Sequence, residues 1–121
     1  MTTEARTFYE QWSSRMSAAK AAVPEAARGF GALFQATMKP GALSVREKEL
    51  IALGIGVAMR CDPCVYSHVQ KAVGAGASRE QVLETAGVAL MMQGGPVYTY
   101  LPKVVGALDA LDALAAAEEE S

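Results

Sequence analysis

Residues 44 to 59 leave this chain few ways to fold. Ser44-Val45-Arg46-Glu47 is a capping box, in which serine and glutamate satisfy free N–H groups at a helix start. Leu50–Met59 then runs apolar on nearly every face, and a helix of that kind is expected to be buried on all sides. Gly54 and Gly56 weaken it by about 1 kcal/mol each, which close approach of another helix can offset. Glu49 stands at the mouth of the run and shares a face with Ala52, Leu53 and Gly56. It therefore points toward the core side, unless it is an ordinary surface residue of the helix.

The flanking sequence supplies helices to surround this one. Glu4 to Ala22 is amphipathic, with Phe8, Trp12, Met16 and Ala19 at three- and four-residue steps. Pro24 to Met38 places Ala27, Phe30, Leu33, Phe34 and Met38 on one side, an aromatic stripe suited to a core or an interface. Lys39-Pro40-Gly41-Ala42 is a turn. Asp62 suits an N-cap and Pro63 the first helical position, so a helix is expected to run to about Ala75 with Gly76 as its left-handed stop. Ser78-Arg79-Glu80-Gln81 is a second capping box. It opens a helix to about Gln93, with Val82, Leu83, Ala86, Ala89, Leu90 and Gln93 inward. A last helix spans about Val97 to Ala117, and Pro102 kinks it or marks its true start. Glu118-Glu119-Glu120 is expected to be a frayed, solvated tail. No β pattern or internal repeat interrupts this series. The expected fold is all-α: one domain over residues 1–121, a helical bundle of about six helices.

Composition narrows the partners. The chain has 121 residues, enough for one core, and 51% of them are hydrophobic. That share is high for a small monomer and points to apolar surface in a subunit interface. A net charge of −2 without a basic run argues against nucleic acid or an anionic membrane as partner. No apolar run reaches membrane-spanning length. The start Thr2-Thr3-Glu4 lacks the pattern of a signal peptide, so a cytoplasmic location is expected.

Chemistry concentrates in Cys61-Asp62-Pro63-Cys64-Val65-Tyr66-Ser67-His68, which holds both cysteines and the only histidine. Cys64 falls in the first turn of its helix, where free N–H groups and the helix dipole favour a thiolate. Cys61 lies just before it, and the spacing brings two sulfurs within disulfide reach. His68 follows Cys64 by four residues, one turn on along the same face, where it can take a thiol proton. Tyr66 and Ser67 can line the same pocket. Three other arrangements use the same residues. Two cysteines can be small buried apolar groups. They can form a plain structural disulfide. With His68 and a carboxylate they can bind zinc, although structural zinc sites usually offer four Cys/His ligands. Redox chemistry fits three reactive groups so close together best.

Glu49, the Cys61-x-x-Cys64-x-x-x-His68 set and Gly76-Ala77-Ser78-Arg79-Glu80 together resemble the alkylhydroperoxidase D-like family, which belongs with the carboxymuconolactone decarboxylases. The resemblance covers a motif core of about 44–100. It implies an all-α fold that assembles as a homotrimer or homohexamer. It implies a thiol-dependent peroxidase or disulfide reductase with no cofactor, acting on a hydroperoxide and regenerated by an external dithiol. Carried over, Cys64 is the peroxidatic thiol and Cys61 the resolving one, with His68 and Glu49 as the proton relay. The decarboxylase branch lacks the thiol pair, so lactone decarboxylation is not expected. Some peroxidase members carry a histidine between the cysteines, where this chain has Asp62-Pro63. Two alternatives remain: a zinc module built from Glu49, Cys61, Cys64 and His68, and a non-catalytic assembly protein of the same fold.

Overall fold

A computed structural model describes residues 3–120. Seven helices follow in order: α1 (Glu4–Ala22), α2 (Pro24–Met38), α3 (Val45–Ala58), α4 (Asp62–Gly74), α5 (Arg79–Gln93), α6 (Gly95–Tyr98) and α7 (Leu101–Glu120). Among the described residues there is no strand, and none of the helices is long and apolar enough to cross a membrane. The all-α expectation stands, with six longer helices and the single turn of α6.

Both capping boxes form with their reciprocal bonds. Ser44 N–H donates to Glu47 Oε1 at 2.8 Å, and Glu47 N–H donates to Ser44 Oγ at 3.1 Å. The Ser44 N–H bond stabilises the Glu47 carboxylate and, with the Ser44 hydroxyl, holds its pKa below the usual range. Ser78 and Gln81 repeat the exchange at 3.0 and 3.1 Å. The two boxes fix where α3 and α5 begin.

The α3–α4 hairpin is the centre of the fold. Leu53 and Val57 of α3 meet Val65, Val69 and Ala72 of α4, all with no exposed surface. Helix α5 adds Val82 and Ala86, and α7 adds Val104, Ala107 and Leu108. Helix α1 closes the other side of α4: the Tyr9 hydroxyl donates to the Tyr66 carbonyl at 2.7 Å, and Phe8 packs 5.1 Å from the Tyr66 ring.

The turn between α3 and α4 is tight and hydrogen-bonded. Arg60 adopts φ 54°, a left-handed conformation. Its N–H bonds to the Val57 carbonyl, and the Cys61 N–H to the Gly56 carbonyl, each at 3.0 Å. This is a Schellman closure, and it anchors the backbone of Cys61 to the end of α3.

Several expectations need correction. The apolar face of α3 is not covered all round: Ile51, Ile55 and Met59 are exposed, because the core partners α4 and α5 occupy only part of its surface. The N-cap of α4 is Cys61 rather than Asp62, which becomes the first helical residue. The Asp62 carboxylate is drawn to Lys103 Nζ at 3.1 Å instead of capping. Leu83 and Gln93 face outward on α5, since the core side is taken by Val82, Ala86 and Ala89. The last helix does not begin at Val97: Pro102 marks its true start, the second of the two expected outcomes, in the first turn of α7 where its missing N–H is allowed. The glutamate tail is not frayed: α7 continues through Glu120. Gly76 does adopt a positive φ of 98° after α4.

Candidate active site

The two cysteines sit at the start of α4 with their sulfurs paired at bonding distance and their Cα atoms 5.2 Å apart. Cys61 has extended backbone angles and caps α4 with its side chain: Cys64 N–H donates to Cys61 Sγ at 3.4 Å. The helix end thus directs an N–H at the sulfur of Cys61 as well as placing Cys64 in its first turn.

Gly56 explains how α3 comes so close. A Cβ at this position would lie 2.9 Å from Cys64 Cβ, well inside carbon contact distance. Gly54 similarly faces Thr85 of α5 at 3.4 Å. Gly56→Ala is therefore expected to destabilise the protein. Overpacking costs about 1–3 kcal/mol, and the gain in helix propensity offsets at most about 1 kcal/mol of that. Urea unfolding would show a lower midpoint, and an unchanged midpoint would mean that α4 moves aside freely.

His68 and Glu49 meet across the same helix pair. His68 Nδ1 lies 2.9 Å from Glu49 Oε1. Glu49 is only 3% exposed, so this carboxylate is drawn from α3 into the core, as its shared face with Leu53 and Gly56 suggested. The His68 side chain is partly open, at 18%. With Nδ1 committed to Glu49, the other ring nitrogen is left for whatever enters the site.

A groove of about 710 Å³ runs above these residues. Its floor is the α4 face Pro63, Cys64, Ser67, His68 and Lys71. Its walls come from α1 and α2, including Trp12, Met16, Phe30 and Phe34. Neither Cys61 nor Glu49 reaches its lining: Cys61 is paired with Cys64 and partly exposed, and Glu49 is buried against His68. The structure thus brings all four candidate residues to one place and exposes two of them to the groove. Tyr66, weighed as a lining residue, is buried instead and donates its hydroxyl to Glu4 Oε1 at 2.8 Å. Burial, with the Glu4 hydrogen bond, pushes its pKa to about 12.

Two features had no clear local signal in the sequence. Ala27, Phe30 and Phe34 of the α2 stripe line the groove, Leu33 is exposed outside it, and no residue of α2 is buried. The spacing of Phe30 and Phe34 marked the stripe but not what it covers. Lys103 joins Glu4 and Asp62 at 2.7 and 3.1 Å, beside the cystine turn. This bonding raises the Lys103 pKa and lowers that of Glu4. Among the described residues, no group of three or more His, Cys, Asp or Glu side chains is placed to hold a metal ion. The four residues of the zinc alternative therefore do not form a ligand shell, the two sulfurs being paired with each other.

Comparison with known proteins gives the family of this fold. The model of the carboxymuconolactone decarboxylase family matches residues 24–119. An uncharacterized protein of Cupriavidus necator is 34% identical over 93% of this chain and 100% of its own length. The crystal structure of an apo carboxymuconolactone decarboxylase family protein from Legionella pneumophila superposes with a TM-score of 0.82 at 34% identity. It covers 89% of this chain and 96% of that one. A family member from Thermotoga maritima, for which a part in antioxidative response has been suggested, gives a TM-score of 0.69. The identity is again 34%, covering 78% of this chain and 95% of that one. The family model and these matches agree, and the chain belongs to the carboxymuconolactone decarboxylase family.

Proposed function

We propose that this protein is a thiol-dependent peroxidase that reduces hydroperoxides through Cys64 and Cys61. The observation that carries this reading is the asymmetry of the site. Cys64 and His68 line the groove, while Cys61 and Glu49 each bond to one of them from outside its lining. A nucleophile that meets substrate in the groove, and a second thiol within bonding reach of it but outside the groove, suit that order. The antioxidative response suggested for the Thermotoga maritima relative is of the same chemical kind.

The Cys64 thiolate attacks the terminal oxygen of R–O–O–H. The O–O bond breaks, R–OH leaves with a proton, and Cys64 becomes a sulfenic acid. The Cys61 thiolate then attacks the Cys64 sulfur. The S–O bond breaks, the oxygen leaves as water, and the disulfide forms. Two thiols and one hydroperoxide thus give one disulfide, one alcohol and one water. An external dithiol restores the pair by exchange. His68 takes the Cys64 proton at the nitrogen facing the groove and returns it to the departing oxygen. Glu49 orients His68 through Nδ1. A cytoplasmic setting suits such a cycle, because reducing dithiols are maintained there.

The direct test is intact mass. Fully reduced, metal-free protein is given one equivalent of cumene hydroperoxide. Loss of two hydrogens, reversed by a dithiol, is the expected result. Two unreacted thiols would remove peroxide as the oxidant.

We also propose a homo-oligomer, trimer or hexamer. Ile51, Ile55, Val88 and Met92 form one exposed apolar surface across α3 and α5. A monomer rarely leaves such a patch in water. Light scattering should give a mass of three or six chains, and Ile55→Asp should reduce it. A monodisperse single chain in the parent would contradict this assembly.

A further inference from the structure

The groove is far larger than a small peroxide needs. Its volume of about 710 Å³ lies within the range of pockets that enclose drug-sized molecules. Hydrogen peroxide would leave nearly all of it unused. The walls are hydrocarbon: Trp12, Met16, Phe30 and Phe34 of α1 and α2, with Val23 at the junction between them, line the groove.

Its charges have one sign. Lys20 and Lys71 line the groove, and no Asp or Glu does. Among the described residues neither lysine is paired with a carboxylate, whereas Lys103 holds two. Lys71 lies over the Phe34 ring, 4.3 Å from its centroid, so its ammonium is held at the groove wall. It also stands seven residues after Cys64 on the floor helix, about 10 Å along its axis. Thiol and ammonium are therefore offered along one face, with an apolar wall opposite.

We infer that this groove binds a long aliphatic chain ending in a carboxylate, with Lys71 receiving the carboxylate. Combined with the peroxidase reading, on which this second step rests, the substrate class is the hydroperoxide of a fatty acid. The chain lies against Phe30, Phe34 and Met16, and the peroxide group reaches Cys64. A neutral ester of the same chain keeps the apolar contacts and loses the charge-assisted bond.

The binding step can be read without any turnover. Trp12 is the only tryptophan and lines the groove, so its fluorescence reports on occupancy. The oxidised, disulfide-bonded protein is titrated with dodecanoate and with methyl dodecanoate. Dodecanoate is expected to give a saturable change and to bind about tenfold more tightly than the ester, the scale of one charge-assisted hydrogen bond. Lys71→Gln should remove most of that preference, and Lys71→Arg should keep it. No saturable change, equal affinity for acid and ester, or a preference that survives Lys71→Gln would overturn the inference. A parallel intact-mass assay with cumene hydroperoxide separates the two readings. Oxidation without dodecanoate binding removes the proposed ligand, while binding with inert thiols supports the site and removes the peroxidase.

Discussion

Cys64→Ser is expected to abolish hydroperoxide consumption, to below about a thousandth of the parent rate, the scale on which loss of a nucleophile acts. A serine hydroxyl at the floor of the groove has the same position but no thiolate, and peroxide O–O bonds yield to soft nucleophiles. Cys61→Ser behaves differently in kind. Cys64 still meets the peroxide, because it alone of the two lines the groove. Its sulfenic acid then has no thiol behind it and accumulates. Intact mass should show one added oxygen, and a dione probe that reacts with sulfenic acids should trap it. Steady turnover of Cys61→Ser at the parent rate with a dithiol would show that an outside thiol resolves Cys64, and the role of Cys61 would fall. The reverse pattern, with Cys61→Ser inert and Cys64→Ser oxidised, would exchange the two roles.

His68→Gln is expected to lower kcat/KM by about a hundredfold or more, within the usual range for a lost general base. Glutamine can still donate to Glu49 across the 2.9 Å contact but cannot exchange a proton with the thiol. Alkylation of Cys64 in reduced protein should slow near neutral pH and recover in alkali, where solvent removes the proton. That pH-dependent recovery distinguishes a proton carrier from a residue that only supports the fold. A structural role would lower the rate equally at all pH values. Glu49→Gln in the same background should change the rate little further, since Glu49 acts through His68. An alkylation profile unchanged by His68→Gln would take the histidine out of the relay.

Much of the fold could be read in advance because its signals are local. Ser44 with Glu47, and Ser78 with Gln81, are three residues apart, and each pair announces a helix start by itself. Gly56 likewise marks a contact that its neighbours in sequence cannot make, and that contact is Cys64. The site was legible for a related reason: Cys61, Cys64 and His68 share one short helix, and Glu49 lies on the helix just before it. What could not be read depended on distant partners. Asp62 looks like an N-cap until Lys103, 41 residues on, claims its carboxylate, and Cys61 takes the cap. The α2 stripe has ordinary helical spacing, and nothing in that spacing distinguishes a groove wall from a core. The apolar run of α3 was overread for the same cause. Periodicity reports which faces avoid water, and Ile51 and Ile55 find no cover within one chain.

The bond from Lys103 to Glu4 joins residues 99 positions apart and has a bearing on how the protein is made. On a ribosome adding about 5–20 residues each second, α1 waits on the order of 5–20 seconds before its partner on α7 exists. In the later part of that interval Cys61 and Cys64 have been synthesised, without the Glu4–Lys103–Asp62 ion pairs beside their turn. The nascent chain thus has its cysteines open to oxidants and to stray thiols while residues 65 to 103 are added. Its final helix is what shuts that window.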